Sequence, residues 1–192
     1  YLATYFENNA KHDNAIFYYN KSLSILQKQN GENQPEIAII FGKLGSIYQT
    51  KGDYDKAIKY FETALDIRLN LYGDQHDSTA KSYGNLGLVW KNKGEYDKSI
   101  EYYEKALAIR LKVFGDQHST TAISYSGLGG SLEKKGENDK CIDYYKKALA
   151  IRLKVFGDQH NSTALIYNNL GFVLRKKGAY LQCIEYYKKS LN

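Results

Sequence analysis

Residues 105–118 read KALAIRLKVFGDQH, and residues 147–160 repeat this stretch without a single change. Residues 63–76 carry a looser copy, TALDIRLNLYGDQH, and a degraded fourth copy ends at Gly31-Glu32-Asn33-Gln34. Successive copies lie 42 residues apart, and fourteen identical residues at a fixed offset cannot result from composition bias. A fixed period of about 20–50 residues indicates a repeat architecture. The chain is therefore expected to be an array of one unit.

Each unit contains two helical patterns with a glycine between them. In the second full unit, apolar residues recur at helical spacing up to Lys93, Gly94 breaks the pattern, and a second run ends at Phe114-Gly115. Neither helix can bury its apolar face alone, so neighbouring units must stack. The sequence predicts an all-α superhelical solenoid of tandem helix–turn–helix units. The first helix is expected near 36–51, 78–93, 120–135 and 162–177, and the second near 54–71, 96–113, 138–155 and 180–192.

These patterns make residues 1–192 a single array with a partial unit at each end. The divisions are 1–35 (partial), 36–77, 78–119, 120–161 and 162–192 (incomplete). Because the chain has no methionine and begins inside a repeat, we expect it to be a fragment of a longer protein. Pro35 suits the first helical position, and its counterparts Asp77, Ser119 and Asn161 are expected to cap their helices.

Composition indicates a well-ordered helical protein, with 43% hydrophobic residues, 25% charged residues and one proline. No run approaches the roughly 18 apolar residues of a membrane-spanning helix, and no signal peptide is visible. A net charge of +6 favours acidic partners.

The two cysteines, Cys141 and Cys183, hold one repeat position, where Ala57 and Ser99 stand in other units. Small residues there predict a tight helix–helix contact. Two packing steps of about 8–10 Å separate equivalent positions, whereas a disulfide requires Cα atoms within about 7 Å. Buried, unpaired thiols suit a reducing compartment, and we expect a cytoplasmic location.

The unit resembles the tetratricopeptide repeat, whose signature is an aromatic, Leu-Gly three residues on, and small and aromatic residues in the second helix. The match covers nearly the whole chain. The aromatic position holds Phe41, Tyr83, Tyr125 and Tyr167. The Leu-Gly pairs are Leu44-Gly45, Leu86-Gly87, Leu128-Gly129 and Leu170-Gly171. The second helix contributes Phe61, Tyr103, Tyr145 and Tyr187.

The 42-residue period and the Ala-Leu-x-Ile-Arg pattern with its Gly-x-x-His link are similar to the repeats of kinesin light chains and nephrocystin-like proteins. This resemblance implies a right-handed superhelix whose first helices line a groove for peptides. In kinesin light chains those peptides carry a tryptophan among acidic residues. The proline that usually follows the link histidine is present only as Pro35, after Gln34.

The sequence gives little support to catalysis or to metal binding. Link histidines His76, His118 and His160 lie near aspartates, but equivalent residues in adjacent units are separated by roughly 16–20 Å and cannot share one ion. We expect them to shape the link or to contact helix N-termini. No phosphate-binding loop, nucleophile elbow or HExxH motif is present. We therefore expect neither an enzyme nor a cofactor.

Function is expected where the copies differ, on the groove face of the first helices. Asparagine can bond a peptide backbone because its amide both donates and accepts. Lysine and arginine can pair with acidic side chains, and Leu88 and Phe172 can take apolar anchors, although Glu133 interrupts the basic face. The alternative is a merely solvated face. The predicted groove residues are Lys43, Lys81, Asn85, Leu88, Lys91, Asn92, Lys134, Asn168, Asn169, Phe172, Arg175 and Lys176.

Three further observations leave alternatives open. Gly127 and Gly130 are extra glycines in a predicted helix, and they indicate either close approach of a ligand or sequence drift. Nearly identical units with no polar caps favour end-to-end self-association as a second function. Positive charge and paired tyrosines such as Tyr102-Tyr103 allow nucleic-acid binding, which the mixed charges around them disfavour.

Overall fold

The computed structural model describes residues 2–30 and 34–191, and within these segments the chain forms ten α-helices and no strand. Residues 1, 31–33 and 192, which include most of the degraded link, lie outside the described part. No described end of the eight helices predicted above differs from its predicted position by more than one residue. The helices are α1 (Leu2–Asn8), α2 (His12–Asn30), α3 (Pro35–Thr50), α4 (Tyr54–Tyr72), α5 (Asp77–Lys93), α6 (Tyr96–Phe114), α7 (Ser119–Lys135), α8 (Asn138–Phe156), α9 (Asn161–Lys176) and α10 (Tyr180–Leu191).

The helices stack in chain order as an α-solenoid. Each odd-numbered helix packs on the even-numbered helix that follows it, and each even-numbered helix packs on the next odd one. Helices α5 and α7 also touch directly, so the odd-numbered helices form one layer and the even-numbered helices the other. None of the described helices combines the length and the apolar character that crossing a bilayer requires.

In each of the four units from residue 36 onward, an aromatic ring of the second helix packs against a glycine of the first. A Cβ atom added to Gly45 would lie 2.7 Å from the ring of Phe61, and one added to Gly87 would lie 2.8 Å from the ring of Tyr103. The same contact joins the signature glycines of α7 and α9 to Tyr145 and Tyr187. Because real Cβ atoms do not approach this closely, only glycine allows the two helices of a unit to meet at this distance.

The extra glycine Gly127 serves packing, which neither of the two sequence-based alternatives anticipated. A Cβ at Gly127 would lie 2.3 Å from the ring of Tyr103, so this ring fits between Gly87 of its own unit and Gly127 of the next. The same junction carries a buried hydrogen bond of 2.7 Å between the hydroxyls of Ser99 and Ser131. Gly130 differs, because a Cβ atom there would meet only the tips of the Lys91 and Tyr145 side chains, at 3.4 Å and 3.5 Å.

The link histidines cap the odd-numbered helices. Nδ1 of His76 accepts a hydrogen bond from the backbone N–H of Ser78 at 3.1 Å, and its ring stacks on Tyr72 with centroids 4.5 Å apart. His118 and His160 repeat both contacts.

The expectation that Asp77, Ser119 and Asn161 are the caps is therefore wrong. They are the first helical residues, because the stacked imidazole already satisfies the amide that a cap would bind. Pro35 does take the predicted first helical position.

A buried threonine fixes each link to the following helix. The hydroxyl of Thr121, which is fully buried, donates to the carbonyl of Gly115 at 2.8 Å, and Thr79 and Thr163 make the same bond to Gly73 and Gly157. Gly115 has φ 81° and ψ −179°, a conformation that only glycine adopts without strain. The Gly-Asp-Gln-His stretch is thus a rigid corner between units.

Surface ion pairs follow the turns along the array. Lys51 pairs with Asp13 at 2.6 Å, and the equivalent lysine Lys135 pairs with Asp97 at 2.8 Å. Lys93–Asp55 and Lys177–Asp139 complete the series. Each pair ties the end of one odd-numbered helix to the start of the preceding even-numbered helix. Exposed pairs contribute only about 0–1 kcal/mol each, so these contacts adjust the stacking more than they drive it.

The two cysteines lie where the repeat places its small residues. Cys141 is fully buried and Cys183 is 5% exposed, and neither forms a disulfide. Burial raises the pKa of the Cys141 thiol to about 12, which keeps it protonated and unreactive at neutral pH.

A Cβ atom would meet different surroundings at Gly127 and at Gly84, and this difference predicts opposite effects on stability when each glycine is replaced by alanine. Gly127→Ala is expected to destabilise the protein by about 1–3 kcal/mol, because the new methyl group overlaps the ring of Tyr103. Gly84→Ala is the control, since nothing lies within 4 Å of its Cβ position and the helix gains about 1 kcal/mol in propensity. Urea denaturation of both variants measures the difference. Equal stabilities would contradict the packing role of Gly127.

Candidate peptide-binding groove

Two adjoining clefts lie on the odd-numbered helices. The smaller, of about 200 Å³, lies between α3 and α5, and the larger, of about 570 Å³, lies between α5 and α7. Lys81 and Asn85 line both, so the clefts form one continuous surface, which we call the groove. The groove contains five of the residues predicted from sequence: Lys43, Lys81, Asn85, Leu88 and Lys91.

The larger cleft combines apolar walls with polar groups. Leu88 and Ile123 are 37% and 47% exposed, which leaves their side chains available to an apolar group. Gly84 and Gly127 also line the cleft; the Cβ position of Gly84 faces open space, whereas the ring of Tyr103 fills that of Gly127. Such a mixture of apolar surface and a few placed polar groups is typical of ligand sites.

Two buried side chains of α6 form the floor of this cleft. Tyr103 is 6% exposed, and burial raises its pKa to about 12, so the phenol keeps its proton at neutral pH. Arg110 is 5% exposed; its Nε donates to Asp77 Oδ1 at 3.2 Å and its Nη1 donates to Ser124 Oγ at 2.9 Å. In the smaller cleft Arg68 takes the place of Arg110 and donates to Ser82 Oγ at 2.5 Å.

The lysines of the groove differ in how far the protein itself neutralises them. Lys43 pairs with Glu7 at 3.2 Å. Lys81 has no ion-pair partner within residues 2–30 and 34–191, and its side chain is exposed. Lys91 is partly buried; burial lowers its pKa, and nearby Glu133 opposes the shift. The uncompensated positive charge is therefore concentrated on α5.

The remaining predicted residues line neither cleft. On α9, Phe172 is covered by Arg175 and Lys176, whose cationic groups lie 5.2 Å and 4.5 Å from the ring centroid. Lys176 also pairs with Glu133 at 2.9 Å, so the carboxylate that interrupts the basic face is itself neutralised. The residues outside both clefts are Asn92, Lys134, Asn168, Asn169, Phe172, Arg175 and Lys176.

Sequence reasoning missed the floor of the groove. Arg68 and Arg110 belong to the repeated Ala-Leu-x-Ile-Arg pattern, whereas function is expected where the copies differ. A signal was present, because a serine follows each of these arginines by 14 residues. Metal binding has no structural basis among the described residues, where no three His, Cys, Asp or Glu side chains form a suitable group.

Comparison with protein families identifies the class. Family profiles described as tetratricopeptide repeat match residues 1–68, 36–90, 79–120 and 120–192, which together span the chain. The chain belongs to the tetratricopeptide repeat family. A sequence search of curated proteins gives no match.

Solved structures of repeat proteins share the fold. BtubC (BKLC) from P. vanneervenii superimposes with a TM-score of 0.86 at 23% identity, covering 98% of this chain and 75% of that one. A putative kinesin light chain of Podosopora anserina with nearly identical TPR-like repeats gives 0.80 at 19% identity, with coverages of 98% and 90%. A Rap protein complexed with Competence and Sporulation Factor gives 0.80 at 18% identity, with coverages of 98% and 50%. The predicted likeness to kinesin light chain repeats is confirmed at the level of the fold.

The hydrogen bond from Arg110 predicts a difference between two serine substitutions on α7. Ser124→Ala leaves Arg110 Nη1 without its buried acceptor, at a cost of about 1.5–3 kcal/mol. Ser126→Ala is the control on the same helix, because its hydroxyl bonds only to the carbonyl of Ala122. Guanidinium chloride unfolding curves test this. If Ser124→Ala is as stable as Ser126→Ala, Arg110 does not depend on this bond.

Proposed function

We propose that the chain binds an extended segment of a partner protein along the groove, and that the segment carries acidic residues. The tetratricopeptide repeat is a fold of protein–protein interaction scaffolds, and the Rap structure shows a similar array in complex with another factor. The specific proposal is supported chiefly by the larger cleft. There, Lys81 and Lys91 lie beside an apolar wall, and no carboxylate of the described residues lies within 4 Å of either ammonium group.

Recognition of the segment would combine three kinds of contact. The amide of Asn85 has no hydrogen bond within the described chain, so it is available to a peptide backbone. Lys81 and Lys91 attract carboxylates, which also accelerates association. Leu88 and Ile123 receive an apolar side chain. The buried thiols of Cys141 and Cys183 suit a reducing compartment, and we place the interaction in the cytoplasm.

Charge reversal in the groove tests the proposal. The double variant Lys81→Glu/Lys91→Glu is expected to lose at least about tenfold in affinity for acidic peptides, because two attractive contacts become repulsive. Fluorescence anisotropy of two labelled acidic peptides, one with and one without a tryptophan, measures the loss.

The matched control is Lys59→Glu/Lys146→Glu, which makes the same charge change at exposed positions of α4 and α8. An equal loss in both double variants would show that only net charge matters. A single-stranded oligonucleotide that outcompetes the peptides would instead support nucleic-acid binding.

The acidic residue inside the basic face gives a prediction of opposite sign. Glu133→Gln removes the carboxylate that pairs with Lys176 and acts on Lys91, so affinity for the same peptides should rise roughly two- to fivefold. Glu104→Gln, at an exposed position of α6, makes the same change in net charge and should have no such effect. Unchanged affinity in Glu133→Gln would place the bound acidic residues away from α5 and α9.

A further inference from the structure

Three arginines occupy one repeat position, and the third differs from the other two in its hydrogen bonding. Arg68 and Arg110 lie beneath successive clefts of the groove and donate to Ser82 and Ser124. Arg152, 42 residues beyond Arg110, occupies the same repeat position on α8, which packs against both α7 and α9. Its Nε is buried and has no hydrogen-bond partner within the described chain.

The missing partners result from two substitutions in the repeat. Ile166 stands where Ser82 and Ser124 accept from the other arginines, and its side chain has no acceptor. Ser119 stands where Asp77 provides a carboxylate to Arg110. Arg152 instead rests against Phe156, with its guanidinium carbon 5.4 Å from the ring centroid.

An unpaired and partly buried guanidinium has a strong physical tendency to acquire an anion. Removing a charge from water without a partner is costly, and burial lowers the pKa of Arg152. The planar guanidinium matches a carboxylate through two parallel N–H···O bonds. The side chain is not fully enclosed, so a ligand can reach it.

We propose that Arg152 is a carboxylate-binding position of the groove, which takes an aspartate or glutamate side chain of the partner segment. The inference rests on the proposed function and locates one acidic contact between α7 and α9. This contact lies one unit beyond Lys81 and Lys91 of the larger cleft. Arg152 has no acceptor within the described chain, and it is therefore the arginine that is free to bind a carboxylate of the partner.

Restoring the lost partner tests this assignment. Ser119→Asp recreates the carboxylate that Asp77 provides to Arg110, and the repeat itself shows that aspartate is compatible with this first helical position. The variant should have a higher Tm and should bind a labelled hexaglutamate peptide about tenfold more weakly, because its own carboxylate occupies Arg152.

Asn161→Asp is the matched control. It adds an aspartate at the first position of α9, with the same favourable helix-dipole interaction, but the helix that follows, α10, contains no arginine to pair with it. Its affinity for hexaglutamate should stay close to that of the wild type. An equal loss of affinity in both variants, or a normal affinity in Ser119→Asp, would overturn the role of Arg152 while leaving the groove proposal intact.

A spectroscopic measurement makes the test direct. The chain has four arginines, so the arginine Nε–H region of a ¹⁵N correlation spectrum is simple, and Arg152→Lys assigns the relevant signal. Hexaglutamate should shift this signal in the wild type and not in Ser119→Asp. A shift with inorganic phosphate but none with the peptide would overturn the carboxylate assignment, and no peptide binding by the wild type would overturn both proposals.

Discussion

The contact between an aromatic ring and a glycine determines the geometry of this array. Phe61 on Gly45 and Tyr103 on Gly87 bring the two helices of a unit together at a distance that no other residue allows. Arg68 and Arg110 follow these rings by seven residues, about two helical turns, and therefore lie on the same face. The ring contact thus directs each arginine under the groove. The residues that pack the core and those that line the groove therefore belong to one helical register.

The helices themselves could be predicted from sequence because a period repeated over several units averages out local ambiguity. Turn glycines such as Gly94 and the tyrosines of the core recur at 42 residues, so one unit defines the others. The caps were harder to predict, because aspartate, serine and asparagine are the usual capping residues. Histidine replaces them only through stacking on Tyr72 and its equivalents, a contact that spacing alone does not reveal.

The candidate site could be predicted only in part, for a related reason. Lys81, Asn85 and Leu88 were found because they vary on a helix face, and variation is visible in a sequence. The arginine floor is not predicted, because these arginines repeat and function is expected only where the copies differ. Whether Arg110 is satisfied depends on a serine and an aspartate in two other helices. Such partners become evident only when the helices are in place.

Positive charge is neutralised by ion pairs at the turns of the array, but part of it stays unpaired on the groove. The turn lysines, such as Lys51 and Lys135, are paired with aspartates, whereas Lys81 on the groove pairs with no carboxylate in the described part of the chain. Equivalent groove positions are separated by two helix-packing steps, roughly 16–20 Å, and an extended chain rises about 3.3 Å per residue. A segment that places acidic residues at equivalent positions of two successive units would therefore carry them about five or six residues apart. The length of one repeat unit would then determine which spacing of acidic residues in a partner segment fits the groove.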